Sequence, residues 1–255
     1  MPGVVVLRRA LDEAAQADVL RWCLDYGVAR RRWLDGEGGL NAARQGRGRA
    51  YDAVERVSAT CGPLSALLVA AAAKADARVD PVGAAMSHVL LLFYAKLDRG
   101  LGWHRDDGKN DGATLAPVVS LSLGCACDFG LKHETADAPT ILRLDSGDAV
   151  LFGGPARHAL HNVANIAAGS CPPKLRALCD AAFGAASPGD FRLNLTWRHA
   201  PELRGLEDTD RFHIFGGATR QFLDAARDRG LDAARAEANE RRRLRKERKR
   251  GGPAS

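Results

Sequence analysis

The chain lacks the short Cys and His spacings that mark a zinc module. Its six cysteines (Cys23, Cys61, Cys125, Cys127, Cys171 and Cys179) include no C-x-x-C pair. They read instead as small buried residues in a reducing compartment. Cys125 and Cys127, two apart in a strand-like run, are expected on one face. No stretch approaches the length of a membrane span, and the opening MPGVVVLRRALDEAAQ holds too short an apolar run for a secretory signal. The expectation is a soluble, monomeric protein of the nucleus or cytoplasm with no membrane partner. Net charge is also scarce over most of the length. The formal net charge is +6, but residues 241–250, RRRLRKERKR, carry eight basic side chains and one glutamate. The rest is close to neutral and points to no partner. The basic run itself reads as an import signal or solvated end, or as a non-specific anchor on phosphates.

What is present suits one large domain with extensions: 255 residues, 46% hydrophobic and 27% charged. Residues 1–85 are expected to form N-terminal helices and a substrate lid, 86–200 a β-rich core, and 201–255 a helical extension ending in the basic tail. Val4 to Leu7 suits a short strand. Leu11, Ala15, Val19, Trp22 and Cys23 recur at helical spacing and predict a helix over 12–25. Residues 30–51 are rich in Gly and Arg without a sustained period. They read as a long loop, either a plain surface loop or a substrate cover with Arg47, Arg49 and the aromatic Trp33 or Tyr51. Residues 54–77 predict a helix or helix pair, with Gly62-Pro63 as a start signal.

From Ser87 the texture changes to short strands divided by Gly, Pro and Asp turns. His88 to Tyr94 is a buried strand by length and content. Val118 to Leu123 alternates apolar residues with Ser120 and Ser122. Residues 141–144, the turn Asp145-Ser-Gly-Asp148 and 149–152 read as a hairpin. His158 to Val163 and Arg192 to Trp197 complete the series, with a helix-containing insertion over 167–188. The fold class expected is mainly β with flanking helices, an α+β chain around a jelly roll.

Two features carry chemistry. His104-x-Asp106 with His161 downstream has the composition of a two-histidine, one-carboxylate triad, which holds ferrous iron on one face and leaves positions open. In the last strand Arg192, Asn194, Thr196 and Arg198 share one face, and Leu193, Leu195 and Trp197 the other. Two arginines on a buried strand need an anionic partner, because an unpaired buried guanidinium is costly. Taken alone, the same strand also reads as an edge with one solvated face.

The sequence resembles the AlkB family of iron(II)/2-oxoglutarate dioxygenases over roughly 86–200, nearest the eukaryotic nucleic-acid demethylase branch. Three segments carry the resemblance: Tyr94 to Asp106 followed by Pro117 to Gly124, then Ser146 to His161 with Arg157, then Arg192-x-Asn194-Leu-Thr-x-Arg198. It implies a double-stranded β-helix with iron on His104, Asp106 and His161. It implies also that 2-oxoglutarate is held by Arg192, Asn194 and Arg198, with Tyr94 assisting. Between His158 and His161, three apart and expected on opposite sides of a strand, the family pattern selects His161. His88, His133, His199 and His213 are expected to be structural. Leu92 stands where the family commonly has Asn, and Gly108 where the bacterial pattern has an acidic residue.

The implied activity is oxidative demethylation of N-methylated bases in DNA or RNA, consuming dioxygen, with single strands favoured because no base need be flipped from a duplex. Trp33, Arg47, Arg49 and Tyr51 are the candidate substrate contacts. Competing readings are the same chemistry on a protein side chain or small molecule, and a non-catalytic nucleic-acid-binding protein of this fold. Intact ligands and both arginines argue against the last.

Overall fold

The computed structural model describes residues 1–29, 47–53, 61–83, 85–98, 100–106 and 115–199. Trp33, position 108, the span 54–60 and the C-terminal extension with its basic tail lie outside the described residues. The described residues fall within one compact unit, Met1–Thr209.

Ten strands are described, in chain order β1 (Val4–Leu7), β2 (Arg47–Ala53), β3 (His88–Tyr94), β4 (Leu101–His104), β5 (Val118–Gly124), β6 (Cys127–Lys132), β7 (Thr140–Leu144), β8 (Ala149–Phe152), β9 (Leu160–Ile166) and β10 (Arg192–Arg198). They form two antiparallel sheets, a major one ordered β1-β8-β5-β10-β3-β2 and a minor one ordered β4-β9-β6-β7. Three helices accompany them: α1 (Glu13–Ala29), α2 (Cys61–Ala75) and α3 (Pro173–Phe183). This is the expected jelly roll with flanking helices.

The major sheet is buried on both sides, and its two faces do different work. Val89, Leu91 and Phe93 of β3, Leu193, Leu195 and Trp197 of β10, and Val119, Leu121 and Leu123 of β5 are almost fully buried on one face. The helices cover that face: Phe93 packs 5.5 Å from Phe183 of α3, α2 touches β1, β5 and β8, and α1 packs on α3. The other face carries Leu90, Leu92, Tyr94, Arg192, Asn194, Thr196, Ser120 and Ser122 and looks toward the minor sheet. Thus the apolar half of each alternating strand makes the core, and the polar half lines a pocket.

α1 starts at Glu13 because the Asp12 carboxylate accepts from the Ala15 N–H at 2.8 Å, satisfying an orphan donor of the first turn. Its buried Gln16 donates to the Leu11 carbonyl at 2.9 Å and accepts from Ser146 Oγ at 2.7 Å, which ties the helix to the turn at 145–148.

That turn corrects one expectation. Residues 141–152 are not a hairpin: β7 pairs with β6 in the minor sheet, while β8 lies between β1 and β5 in the major one. The turn is a crossover clamped onto β5. Gly147 N–H donates to the Ser122 carbonyl at 2.7 Å, and Ser122 N–H donates to the Asp148 carbonyl at 2.9 Å. The buried Asp148 carboxylate accepts from the backbone of Arg9 at 2.8 Å and of Asp145 at 3.0 Å. Gly147 is required there, with φ at +87° and an added Cβ only 2.4 Å from Gln16 Nε2 and 2.7 Å from the Leu11 carbonyl. Gly147→Ala should therefore cost several kcal/mol, against about 1 kcal/mol for Gly83→Ala, which has a positive φ but open space around it. Denaturant unfolding of the two variants measures the difference.

Other expectations change as well. The loop over 30–51 gives way at Arg47 to an edge strand, β2, pairing along the whole of β3. Together with β1, it brings two strands from residues 1–85 into the major sheet. Cys125 lies in the bend between β5 and β6, so it does not share a strand face with Cys127, which starts β6. His158 precedes β9, after a 3-10 turn at Gly154–Ala156, and is not on the strand with His161. β4 and β6 were not anticipated.

Candidate active site

The site sits between the two sheets, where β4 meets β9. His104 and His161 lie directly opposite in that pairing, with ring centroids 4.1 Å apart. Asp106 follows two residues after His104, and its Oδ2 is 3.8 Å from His161 Nε2. One ligand atom from each of the three residues falls within 4.8 Å of the others. Each imidazole turns Nδ1 to a backbone carbonyl, His104 to Gly102 at 2.8 Å and His161 to Ala159 at 3.2 Å. A carbonyl only accepts, so Nδ1 carries the proton and Nε2 is left as a lone-pair donor toward the cluster. The rings of Phe152 and Phe129, 4.9 and 5.7 Å away, wall His161.

The electrostatics suit metal ligation. Burial pulls His161 down to about 4, against the opposing effect of Asp106, so the imidazole is neutral at ordinary pH. Burial raises the Asp106 carboxyl, but the neighbouring guanidinium groups, Arg198 first and then Arg157, hold the group below its usual range. A carboxylate oxygen and two imidazole nitrogens are the donor set ferrous iron takes in a facial triad.

Two reciprocal links fix the ligand-bearing segments. Arg157, buried before His161, donates to the Asp106 carbonyl at 2.8 Å, and Arg105 donates to the His158 carbonyl. Each arginine thus reaches the residue that follows the other. Arg198 Nη1 lies 3.7 Å from Asp106 Oδ1.

His104, Asp106 and His161 line a pocket together with Tyr94, Leu92, Ser120, Arg192 and Asn194, with Phe129 opposite. Arg192 is wholly buried, and its Nη2 donates to Ser122 Oγ at 3.0 Å. Its Nε and Nη1 meet no hydrogen-bond partner among the described residues. A buried guanidinium with a single hydroxyl for company is short of a counter-charge. Asn194 is held by Ser120 Oγ at 2.8 Å, the Leu121 carbonyl at 3.0 Å and Thr196 Oγ1 at 2.7 Å.

The structure therefore brings His104, Asp106 and His161 into one pocket with Tyr94, Arg192 and Asn194, and sets Arg198 beside the Asp106 carboxylate. Positions 47, 49 and 51 of β2 stand in register with Tyr94, Leu92 and Leu90. Sequence reasoning missed Ser120 and Ser122 as supports of Asn194 and Arg192, and Arg105 and Arg157 as links. The serines were visible as the polar half of β5, but their partners depend on the register with β10.

Fold and site define a jelly-roll protein with a two-histidine, one-carboxylate centre beside a cationic pocket. The sequence profile of the 2OG-Fe(II) oxygenase superfamily matches residues 3–198, and the chain belongs to that superfamily. It is 34% identical over 113 residues to "DNA N(6)-methyladenine demethylase ALKBH1D" of Arabidopsis thaliana, covering 43% of this chain and 24% of the relative. To "tRNA demethylase abh1" of Schizosaccharomyces pombe it is 40% identical over 84 residues, 32% of this chain and 27% of the relative. The chain thus spans about a quarter of the length of these relatives. The solved "structure of OsALKBH1" superposes with a TM-score of 0.59 at 23% identity, over 78% of this chain and 99% of that one, a likeness of fold. The superfamily implies ferrous iron and 2-oxoglutarate. The donor set of the triad fits the first, and the under-partnered buried guanidinium of Arg192 fits a carboxylate of the second.

Proposed function

We propose that this protein is an iron(II)- and 2-oxoglutarate-dependent dioxygenase that demethylates N-methylated bases in DNA or RNA, with single strands favoured. The observation that carries the reading is the buried Arg192 in the pocket beside the His104, Asp106 and His161 cluster. His104, Asp106 and His161 hold the metal, Arg192 and Asn194 bind the cosubstrate with Tyr94 beside them, and Arg198 contributes from the Asp106 side. Bound ferrous iron with 2-oxoglutarate and dioxygen supplies hydroxylation of a methyl carbon, giving succinate and carbon dioxide.

The chain's own contribution is orientation and exclusion of water. Arg192 fixes one end of the dicarboxylate by charge-assisted hydrogen bonds, and Ser122 fixes Arg192. Phe129 and Phe152 keep the cluster dry. No side chain is needed as general base, because a hydroxymethyl group on nitrogen breaks down to formaldehyde unaided. Positions 47, 49 and 51, aligned with the pocket strand, and Trp33 supply substrate contacts. The names of the plant and yeast relatives support a methylated nucleic acid as substrate.

The test is succinate release by the full chain with iron and 2-oxoglutarate, across a panel of methylated and unmethylated oligonucleotides. Stimulation by a methylated single strand, with formaldehyde in equal amount, is the expected result. Equal rates with and without every methylated oligonucleotide would overturn the substrate class and leave the cosubstrate chemistry standing.

A further inference from the structure

Among the described residues a second group of ligating side chains lies apart from the site above. The sulfurs of Cys125 and Cys171 and a carboxylate oxygen of Asp190 all lie within 4.8 Å of one another. Eight residues separate Asp190 from Arg198, which faces Asp106, and at about 3.3 Å per residue the two clusters stand near opposite ends of β10. We propose that Cys125, Cys171 and Asp190 bind one zinc ion, which joins the bend between β5 and β6, the approach to α3 and the approach to β10.

Ligand composition and spacing support it. Thiolate sulfur about 2.3 Å and carboxylate oxygen about 2.0–2.2 Å from a shared zinc ion stand roughly 3.5–4 Å apart, so the cluster needs little rearrangement. Two sulfur donors favour zinc over ferrous iron, which prefers the nitrogen and oxygen donors of the other cluster. Both cysteines are buried, whereas the Asp190 side chain is 20% exposed, which leaves a way in for the ion from the Asp190 side.

The surroundings are already organised. The Phe191 carbonyl accepts from the Cys125 N–H at 2.7 Å, and the Cys171 thiol donates to the Pro172 carbonyl at 3.8 Å. The Asp190 carboxylate is oriented by the Gly169 N–H and by Arg176. Such outer contacts fix ligand orientation in metal centres. A hydrogen bond from Cys171 lowers the Cys125 thiol and raises the Cys171 one.

Charge balances in both states. With both thiols protonated, Asp190 and Arg176 form a neutral pair. Binding replaces two thiol protons by one divalent ion, Zn²⁺ + 2 RSH → Zn(SR)₂ + 2 H⁺, so the buried cluster remains neutral. No oxidant or reductant takes part. The three ligands are spread along the chain, which is why the cysteine spacing shows no zinc motif.

The experiment uses the full chain and cobalt(II) as probe, since cobalt bound by thiolate absorbs strongly in the near ultraviolet and cobalt bound by His and Asp does not. The expected result is that the wild type takes up two ions and shows the thiolate band. The Cys125→Ser/Cys171→Ser double variant should lose the band and one ion, while His161→Ala should keep the band and lose the other. Zinc added to the cobalt-loaded wild type should displace the band without releasing protons, and zinc added to the metal-free wild type should release two protons for each ion bound at that site. This last measurement needs no variant, so a misfolded serine variant would not spare the proposal. A wild type without a thiolate band, a band that survives in the double variant, or thiols that close to a disulfide while binding no metal would each overturn it. Because His161→Ala reports separately on the other cluster, failure here leaves the dioxygenase reading untouched.

Discussion

His161→Ala should bring iron binding and 2-oxoglutarate turnover down to background, while His158→Ala retains most of both. The two residues stand three apart in one short run, yet the structure gives them different surroundings. His161 is buried against Phe152 and Phe129, with Nε2 3.8 Å from Asp106 Oδ2. His158 precedes the strand, and its part in the site is its backbone carbonyl, which accepts from Arg105. Alanine at 158 keeps that carbonyl, so the link between the two ligand-bearing segments survives. Removing the imidazole at 161 leaves one nitrogen and one carboxylate, too few donors for a facial site. Equilibrium dialysis with ferrous iron under anaerobic conditions, beside turnover, separates loss of metal from loss of chemistry. A dead His158→Ala with an active His161→Ala would reverse the assignment of the distal ligand.

How much of this was legible in the sequence depends on how local each signal is. The alternation in Arg192 to Arg198 is local, and both of its consequences, an apolar back and a polar pocket face, are found in the sheet. The helix over 12–25 was legible for the same reason, and Asp12 capping explains where it begins. Residues 141–152 were not legible as a crossover, because any two strands joined by four turn residues look alike until their partners are known. What decides the matter is non-local: Arg9, Ser122 and Gln16 hold the turn from three other elements. β4 and β6 were hidden for another reason. β4 is four residues long and ends in site residues, and β6 is interrupted by Gly130, where an added Cβ would lie 2.8 Å from the Trp103 ring. A glycine that makes room for a neighbouring indole reads, in sequence, as a break in the strand.

The support of the site was hidden in the same way. Ser120 and Ser122 were visible as polar positions in a buried strand, but their purpose lies in the register that sets them against Asn194 and Arg192. The cluster of Cys125, Cys171 and Asp190 is the extreme case. Three connections distant in sequence meet only because β5, β10 and the segment before α3 end at one corner.

Arg192→Met should weaken 2-oxoglutarate by about two to four orders of magnitude, as expected when breaking a buried charge pair costs about 3–5 kcal/mol. The same substitution should leave the ligand-free protein at least as stable as the wild type. The two effects have opposite signs for one physical reason. Without its cosubstrate, Arg192 is a wholly buried cation with a hydrogen bond to Ser122 and no partner for Nε or Nη1 among the described residues. That is an unfavourable state which binding relieves, and methionine of similar length removes it by filling the space with apolar atoms. Arg192→Lys keeps the charge but loses the planar fork, and should fall between the two in cosubstrate affinity. Iron uptake should be unchanged in both variants, because Arg192 is not among the three clustered ligands. Thermal unfolding with and without 2-oxoglutarate reads both signs at once. The wild type should gain stability on adding the cosubstrate, and Arg192→Met should start as high or higher and gain none. An unchanged cosubstrate affinity would remove this strand face from the binding pocket. A ligand-free Arg192→Met that unfolds well below the wild type would mean that the guanidinium holds the sheet together rather than waiting for an anion.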